Sequence, residues 1–202
     1  MITVTDSSGN TATASATFII KPQLSAWGRT WSFLEWYTCG HPTTPADFFG
    51  SYSYPLITAN DSIYSWINAD DSSYWRHTGY QSLPVPWEQS QLFVYKITQD
   101  RAGVSNLSIT WTGHGGNGDL IYHTKLKIWN YQTGSWYTLV DVTSPGSTVF
   151  QTYDRGITAN AADFIEAGTG NVSILVTADD DGRGSTEDTE GIFTDYIALN
   201  VN

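Results

Sequence analysis

Carboxylates gather near the C-terminal end of the sequence. Asp179, Asp181 and Asp188 lie between two runs in which apolar and polar residues alternate, residues 172–176 and 193–201. In the second run Phe193, Asp195, Ile197, Leu199 and Val201 occupy every other position, which makes Asp195 the single charge on an otherwise apolar strand face. A carboxylate buried there is costly unless it is hydrogen-bonded, paired or bound to a cation. Calcium takes about six to eight hard oxygens, and closely spaced carboxylates around a glycine such as Gly182 supply them. The spacing partly matches a helix-loop-helix calcium loop. Thr177 stands where the first carboxylate belongs, Asp188 replaces a longer glutamate, and the flanks are strands, so a site of different geometry is expected. Asp61 and Asp71 belong to a second oxygen-rich cluster with Asn60, Asn68 and Asp70, a composition that ordinary Asx turns also produce. The metal ligands expected of this chain are therefore Asp195, Asp179, Asp181, Asp188, Asp61 and Asp71, around a structural calcium in a strand-loop-strand closing hairpin.

A second group of residues is aromatic. Tyr64, Trp66, Tyr74, Trp75, Tyr80 and Trp87 fall within one short region, with Arg76 and His77 beside Trp75 and Glu88 beside Trp87. Rings left exposed would stack on sugar faces, and polar neighbours at strand ends would complete a pocket. The competing reading is core, since each ring can bury about 150–250 Å². The candidate glycan contacts are Tyr64, Trp66, Trp75, Arg76, Tyr80 and Trp87.

Other chemistries find no support. His41, His77, His114 and His123 are scattered, without the spacing of a zinc site. There is no GxSxG and no phosphate-binding loop, and the one cysteine, Cys39, excludes an intramolecular disulfide. The expectation is a non-catalytic protein. A formal charge of −11 provides no basic patch to displace counterions from nucleic acid. No apolar run reaches the roughly 18–20 residues of a membrane span. The acidic, lysine-poor composition suits an extracellular or cell-surface setting.

These residues need a scaffold, and the sequence specifies strands. Nine tryptophans, twelve tyrosines and eight phenylalanines accompany abundant Thr, Ser, Asn, Asp and Gly, a mixture that favours strands and turns over helices. Strands are expected over 63–67, 73–77, 91–98, 107–112, 125–131, 136–142 and 148–153, with a mobile loop over 113–119 and one helical turn over 161–165 capped by Asn160. Short strands with turn chemistry between them predict an all-β antiparallel sandwich.

Two resemblances sharpen this. The string VTDSSGNTATASATF is similar to the last two strands of immunoglobulin-like repeats in large prokaryotic surface proteins. Residues 1–22 are thus expected to be a β-hairpin plus linker, either belonging to a neighbouring domain or donated to another subunit. The segments LSITWTG, KIWNYQTGSWYTL, ADFIEAGTGNVSILVTA and FTDYIAL resemble the galactose-binding-like jelly rolls of secreted and surface proteins and of carbohydrate-binding modules. That resemblance implies a jelly-roll domain over 23–202, a structural calcium held with the help of Asp195, and an early loop that meets the closing strand and so places Asp61 or Asp71 near Asp195. The chain departs from those relatives in its aromatic N-terminal segment and long acidic loop, so ligand chemistry does not transfer. The expected function is a structural or adhesive module associating with copies of itself or neighbouring surface domains; the alternative is a carbohydrate-binding module of a secreted protein.

Overall fold

The computed structural model describes residues 2–5, 8, 11–14, 23–27, 43–46, 65–80, 88–116, 121–145, 149–180 and 189–202. In chain order the strands are β1 (Ile2–Thr5), β2 (Thr11–Ala14), β3 (Gln23–Trp27), β4 (Trp75–Tyr80), β5 (Glu88–Lys96), β6 (Leu107–Gly115), β7 (Ile121–Asn130), β8 (Ser135–Pro145), β9 (Gln151–Ile157), β10 (Asn171–Asp180) and β11 (Thr189–Val201).

One sheet has the order β3-β5-β10-β7-β8, the other β4-β11-β6-β9, and β1 and β2 form a separate two-stranded ladder. Every pairing is antiparallel. From β4 onward the chain places β5, β10, β7 and β8 in one sheet and β4, β11, β6 and β9 in the other. That interleaving is the winding of a jelly roll. The protein is an all-β antiparallel sandwich.

The core lies where the inner faces meet. Leu107, Ile109 and Trp111 of β6, Ile197 and Leu199 of β11, Phe93 and Tyr95 of β5, Leu126 and Ile128 of β7, and Ile174 and Val176 of β10 are all buried together. Strand β10 is central, and Ser173, Leu175 and Thr177 on its other face are buried too. A polar chain crosses this core. Trp111 Nε1 donates to Thr194 Oγ1 at 3.0 Å, Thr194 Oγ1 donates to Gln91 Oε1 at 2.6 Å, and Gln91 Nε2 donates to the carbonyls of Trp75 and Ile192 at 3.4 and 3.3 Å. Tyr95 donates its hydroxyl to the Ile197 carbonyl at 3.1 Å. Both bridges run from β5 to the opposite sheet, and they fix how one layer sits on the other.

Four local expectations change. β10 and β11 lie in different sheets and do not pair with each other, so they form no closing hairpin. Residues 65–67 form a helical turn instead of a strand; the turn buries Ile67 and exposes Trp66. Residues 113–115 extend β6, and a side chain at Gly113 would press on the Phe193 carbonyl and the Trp111 ring. Asn160 precedes a 3₁₀ turn, Ala161–Phe164, in the left-handed region at φ 54°, and its side chain makes no cap.

Candidate functional site

Strand β11 carries the site because its alternation breaks once. Residues 189–194 pair with β4 and residues 192–194 with the end of β6; on the β6 side the register then shifts between Thr194 and Tyr196. Asp195 is the extra residue of this β-bulge. Before it, Ile192 and Thr194 point inward; after it, Ile197 and Leu199 do. Phe193 therefore belongs to the outer surface and is no part of the core cluster. The uniform apolar face expected over 193–201 does not exist, because an inserted residue changes the phase of an alternating strand.

The opposite edge of β11 is interrupted at the same place. Pairing with β4 ends at Trp75 opposite Thr194 and resumes in a bridge between Asn68 and Tyr196. Residues 69–74 detour around Asp195, through Ser72 in the left-handed region at φ 70°. The Ser72 N–H donates to Asp195 Oδ2 at 3.3 Å. Asp195 is 2% exposed, and its Oδ1 has no hydrogen-bond partner among the described residues. Burial pushes its pKa up and the adjoining Asp70 carboxyl pushes it further, against the backbone N–H groups of Ser72 and Asp71. The early acidic cluster and the closing strand do meet, through Asp70, Asp71 and Asp195.

The other expected ligands are placed differently. Asp179 lies in β10, in register with Glu88 and His123 in the sheet that does not contain Asp195. Asp61, Asp181 and Asp188 lie outside the described residues. Among the described residues no group of three or more His, Cys, Asp or Glu is arranged to hold a metal. The oxygens that fit a cation are those of Asp195, one of them buried and unpartnered, beside the Asp70 carboxyl.

Next to the bulge the outer face of the four-stranded sheet is aromatic. The Phe193 ring stacks on the His114 imidazole at 4.4 Å and 13°, Phe150 meets His114 edge-on at 4.9 Å, and Tyr74 packs against Phe193 at 5.6 Å and Phe150 at 5.5 Å. His114 and Phe193 are direct partners across β6 and β11, which sets that stack. The layers differ in access: Phe193 and His114 are buried, Phe150 is half-buried, and Tyr74 is 42% exposed. Burial lowers the His114 pKa to about 4, so the imidazole is neutral at pH 7. Its Nδ1 is buried without a hydrogen-bond partner among the described residues. From His114 the same face continues along β6 and β9 as a hydroxyl track, with Thr112 bonded to Thr152 at 2.9 Å and Thr110 donating to Asp154 at 2.7 Å. An exposed ring at the head of a polar track can stack on a sugar and bond the hydroxyls that follow.

The expected glycan contacts divide. Trp66 is 41% exposed, on the helical turn that precedes the 69–74 detour. Trp75 is 5% exposed and packs edge-on against Phe93 at 5.7 Å inside the core, so it presents no face to a ligand. An inward position on β4, opposite Thr194, puts it there. The structure describes only the backbone of Arg76 and Tyr80, at the two ends of the β4 ladder opposite Phe193 and Thr189. Tyr64 and Trp87 lie outside the described residues. The contacts expected from the sequence omit Tyr74, His114, Phe150 and Phe193. Phe193 is hidden by the bulge, and the other three are far apart in the chain.

Several solved structures resemble this fold, three of them as follows. A CBM61 structure in complex with β-1,4-galactotriose has 17% sequence identity and a TM-score of 0.39, covering 67% of this chain and 75% of that one. A CBM4 structure has 13% identity and a TM-score of 0.38, over 66% and 87% of the two chains. A CBM28 module, described as specific for non-crystalline cellulose, has 11% identity and a TM-score of 0.33, over 63% and 74%. No curated protein matches the sequence. A family model described as "Uncharacterized protein, C-terminal domain" matches residues 39–202, the greater part of the chain, and the chain belongs to that family.

Proposed function

We propose that this chain is a non-catalytic carbohydrate-binding module that works outside the cell or at its surface. Its binding surface is the outer face of the four-stranded sheet, headed by Tyr74. The observation that carries this is the ring of Tyr74, left open to solvent yet fixed by Phe150 and Phe193 over the neutral His114. A pre-set aromatic ring costs little conformational entropy when it stacks on a ligand. The Thr112–Thr152 and Thr110–Asp154 pairs offer the hydrogen-bonding groups that sugar hydroxyls need. Calorimetric titration with a panel of neutral oligosaccharides tests the reading: at least one should bind, and silence across the panel contradicts it.

Calcium belongs to the same proposal as a structural element. Asp195 and Asp70 are the residues that would hold it, because a cation would satisfy the buried Oδ1 and offset the repulsion between two adjacent carboxylates. It would pin the 69–74 detour on β11 and, through it, Tyr74.

Self-association is the second reading, favoured by one feature. β1 and β2 form a two-stranded ladder of their own, and such a hairpin is marginal alone in water. Sedimentation of the full chain and of a variant lacking residues 1–21 tests it: a dimer or larger assembly lost on deletion supports it, and identical profiles contradict it.

A further inference from the structure

At the other end of β9 the sandwich opens between the edge strands of its two sheets. Asn130, β8 residues Tyr137 and Leu139, β9 residues Arg155 and Gly156, and the segment through Asn160 and Asp163 line a cleft of about 500 Å³. That lies within the roughly 300–1,000 Å³ typical of small-ligand sites. From Phe150 to Arg155 the strand rises about 16 Å, so the cleft is distinct from the aromatic face.

Its walls are fixed by local chemistry. Asn130 Oδ1 accepts from the N–H groups of Gln132 and Thr133, shaping the β7–β8 turn, and the Tyr131 N–H donates to the Asp163 carbonyl at 2.8 Å. The Tyr137 ring is 54% exposed, yet it rests edge-on against the buried Phe164 at 5.7 Å. Arg155 crosses the gap, its Nε donating to the Leu139 carbonyl at 3.2 Å and its Nη1 to the Asp154 carbonyl at 2.8 Å.

Arg155 has no carboxylate partner among the described residues. The chain holds 20 acidic and 9 basic residues, so an arginine without one is conspicuous. The neighbouring Asp154 carboxylate is engaged by Thr110. Asp163 lines the same cleft but forms no ion pair with Arg155. A guanidinium has five N–H donors; the two carbonyls use two and hold the plane in place, leaving the others for a ligand. A guanidinium selects planar anions, carboxylates above all, that it can grip with two parallel bonds.

The geometry points to a second binding site in this cleft, one that takes a uronic acid residue of an acidic oligosaccharide. Arg155 holds the sugar carboxylate, Tyr137 stacks on the ring, and Asp163 and Asn160 receive its hydroxyls.

Oligomers of glucuronic, galacturonic and mannuronic acid, each beside its carboxyl-reduced neutral counterpart, test this on the full chain by NMR titration and calorimetry. At least one acid oligomer should bind about tenfold or more tightly than its reduced form, the worth of a charge-assisted contact, and shift the amides of Tyr137, Arg155, Gly156 and Asn160. Arg155→Gln should abolish that preference while Arg155→Lys keeps part of it. The wild-type comparison stands even if a variant at Arg155 loosens β8 from β9. Equal affinity for acid and reduced oligomers, absence of binding, or shifts gathered at Tyr74 and His114 would overturn the assignment. The last of these would leave the sheet-face reading intact.

Discussion

Phe193 and Ile197 face opposite sides of strand β11, although an even separation along a strand should put them on one. Phe193 stacks on His114 outside the sheet, and Ile197 lies in the core. Asp195, the bulged residue between them, makes the difference.

Deleting Asp195 should therefore do more harm than replacing it. Without the extra residue the segment before it must turn over, sending Phe193 inward and Ile192 and Thr194 outward. The deletion should cost about 4 kcal/mol or more in urea unfolding, the range reserved for disrupted cores, whereas Asp195→Ala leaves the phase intact. A deletion variant as stable as Asp195→Ala would show that the bulge does not set the face.

Thr194→Val tests the polar chain through the core. The substitution keeps the shape but leaves Trp111 Nε1 without an acceptor and Gln91 Oε1 without a donor. Each orphaned group costs about 1–3 kcal/mol, so denaturant midpoints should fall clearly. A neutral effect would mean that neither bond contributes.

Much of the scaffold is written in local patterns. Leu107, Ile109 and Trp111 alternate as a strand with one buried face and are that, and the Trp136 strand and its turn with Gly134 at φ 64° follow from sequence alone. Which sheet each strand joins is not local, so 172–201 read as a hairpin although its strands sit in different layers. The meeting of the early acidic cluster with Asp195 was foreseeable from the resemblance. The aromatic cluster was not, because period-two alternation cannot register an inserted residue and assigns Phe193 to the wrong side. Trp75 failed as a ligand contact for the opposite reason: composition shows that rings are present but not which of them the inner face of β4 takes.

Chelation tests the proposed cation. Calcium at 100 times its dissociation constant would add about 2.7 kcal/mol of stability, so EDTA should lower the melting temperature, and Asp195→Asn should remove the response. A melting curve indifferent to both calcium and EDTA contradicts a structural site.

Titration in EDTA separates two buried groups of opposite sign. The pKa of Asp195 is raised in the fold, so its contribution is present below the ordinary carboxylate pKa and is lost as pH rises through the raised value. His114 is lowered to about 4, so its contribution is present above the ordinary imidazole pKa of about 6.5 and is lost as pH falls towards the lowered value. In EDTA at pH 7 Asp195→Asn should melt higher than the wild type, and His114→Phe should flatten the loss of stability on acidification. Variants that track the wild type at every pH would contradict both assignments.

Tyr74 decides whether the sheet face binds glycan. For the neutral oligosaccharide that the wild type binds most tightly, calorimetry should show Tyr74→Ala weakening affinity about tenfold or more, as for a central aromatic contact, while its melting temperature stays near that of the wild type. Wild-type affinity in Tyr74→Ala would contradict the account.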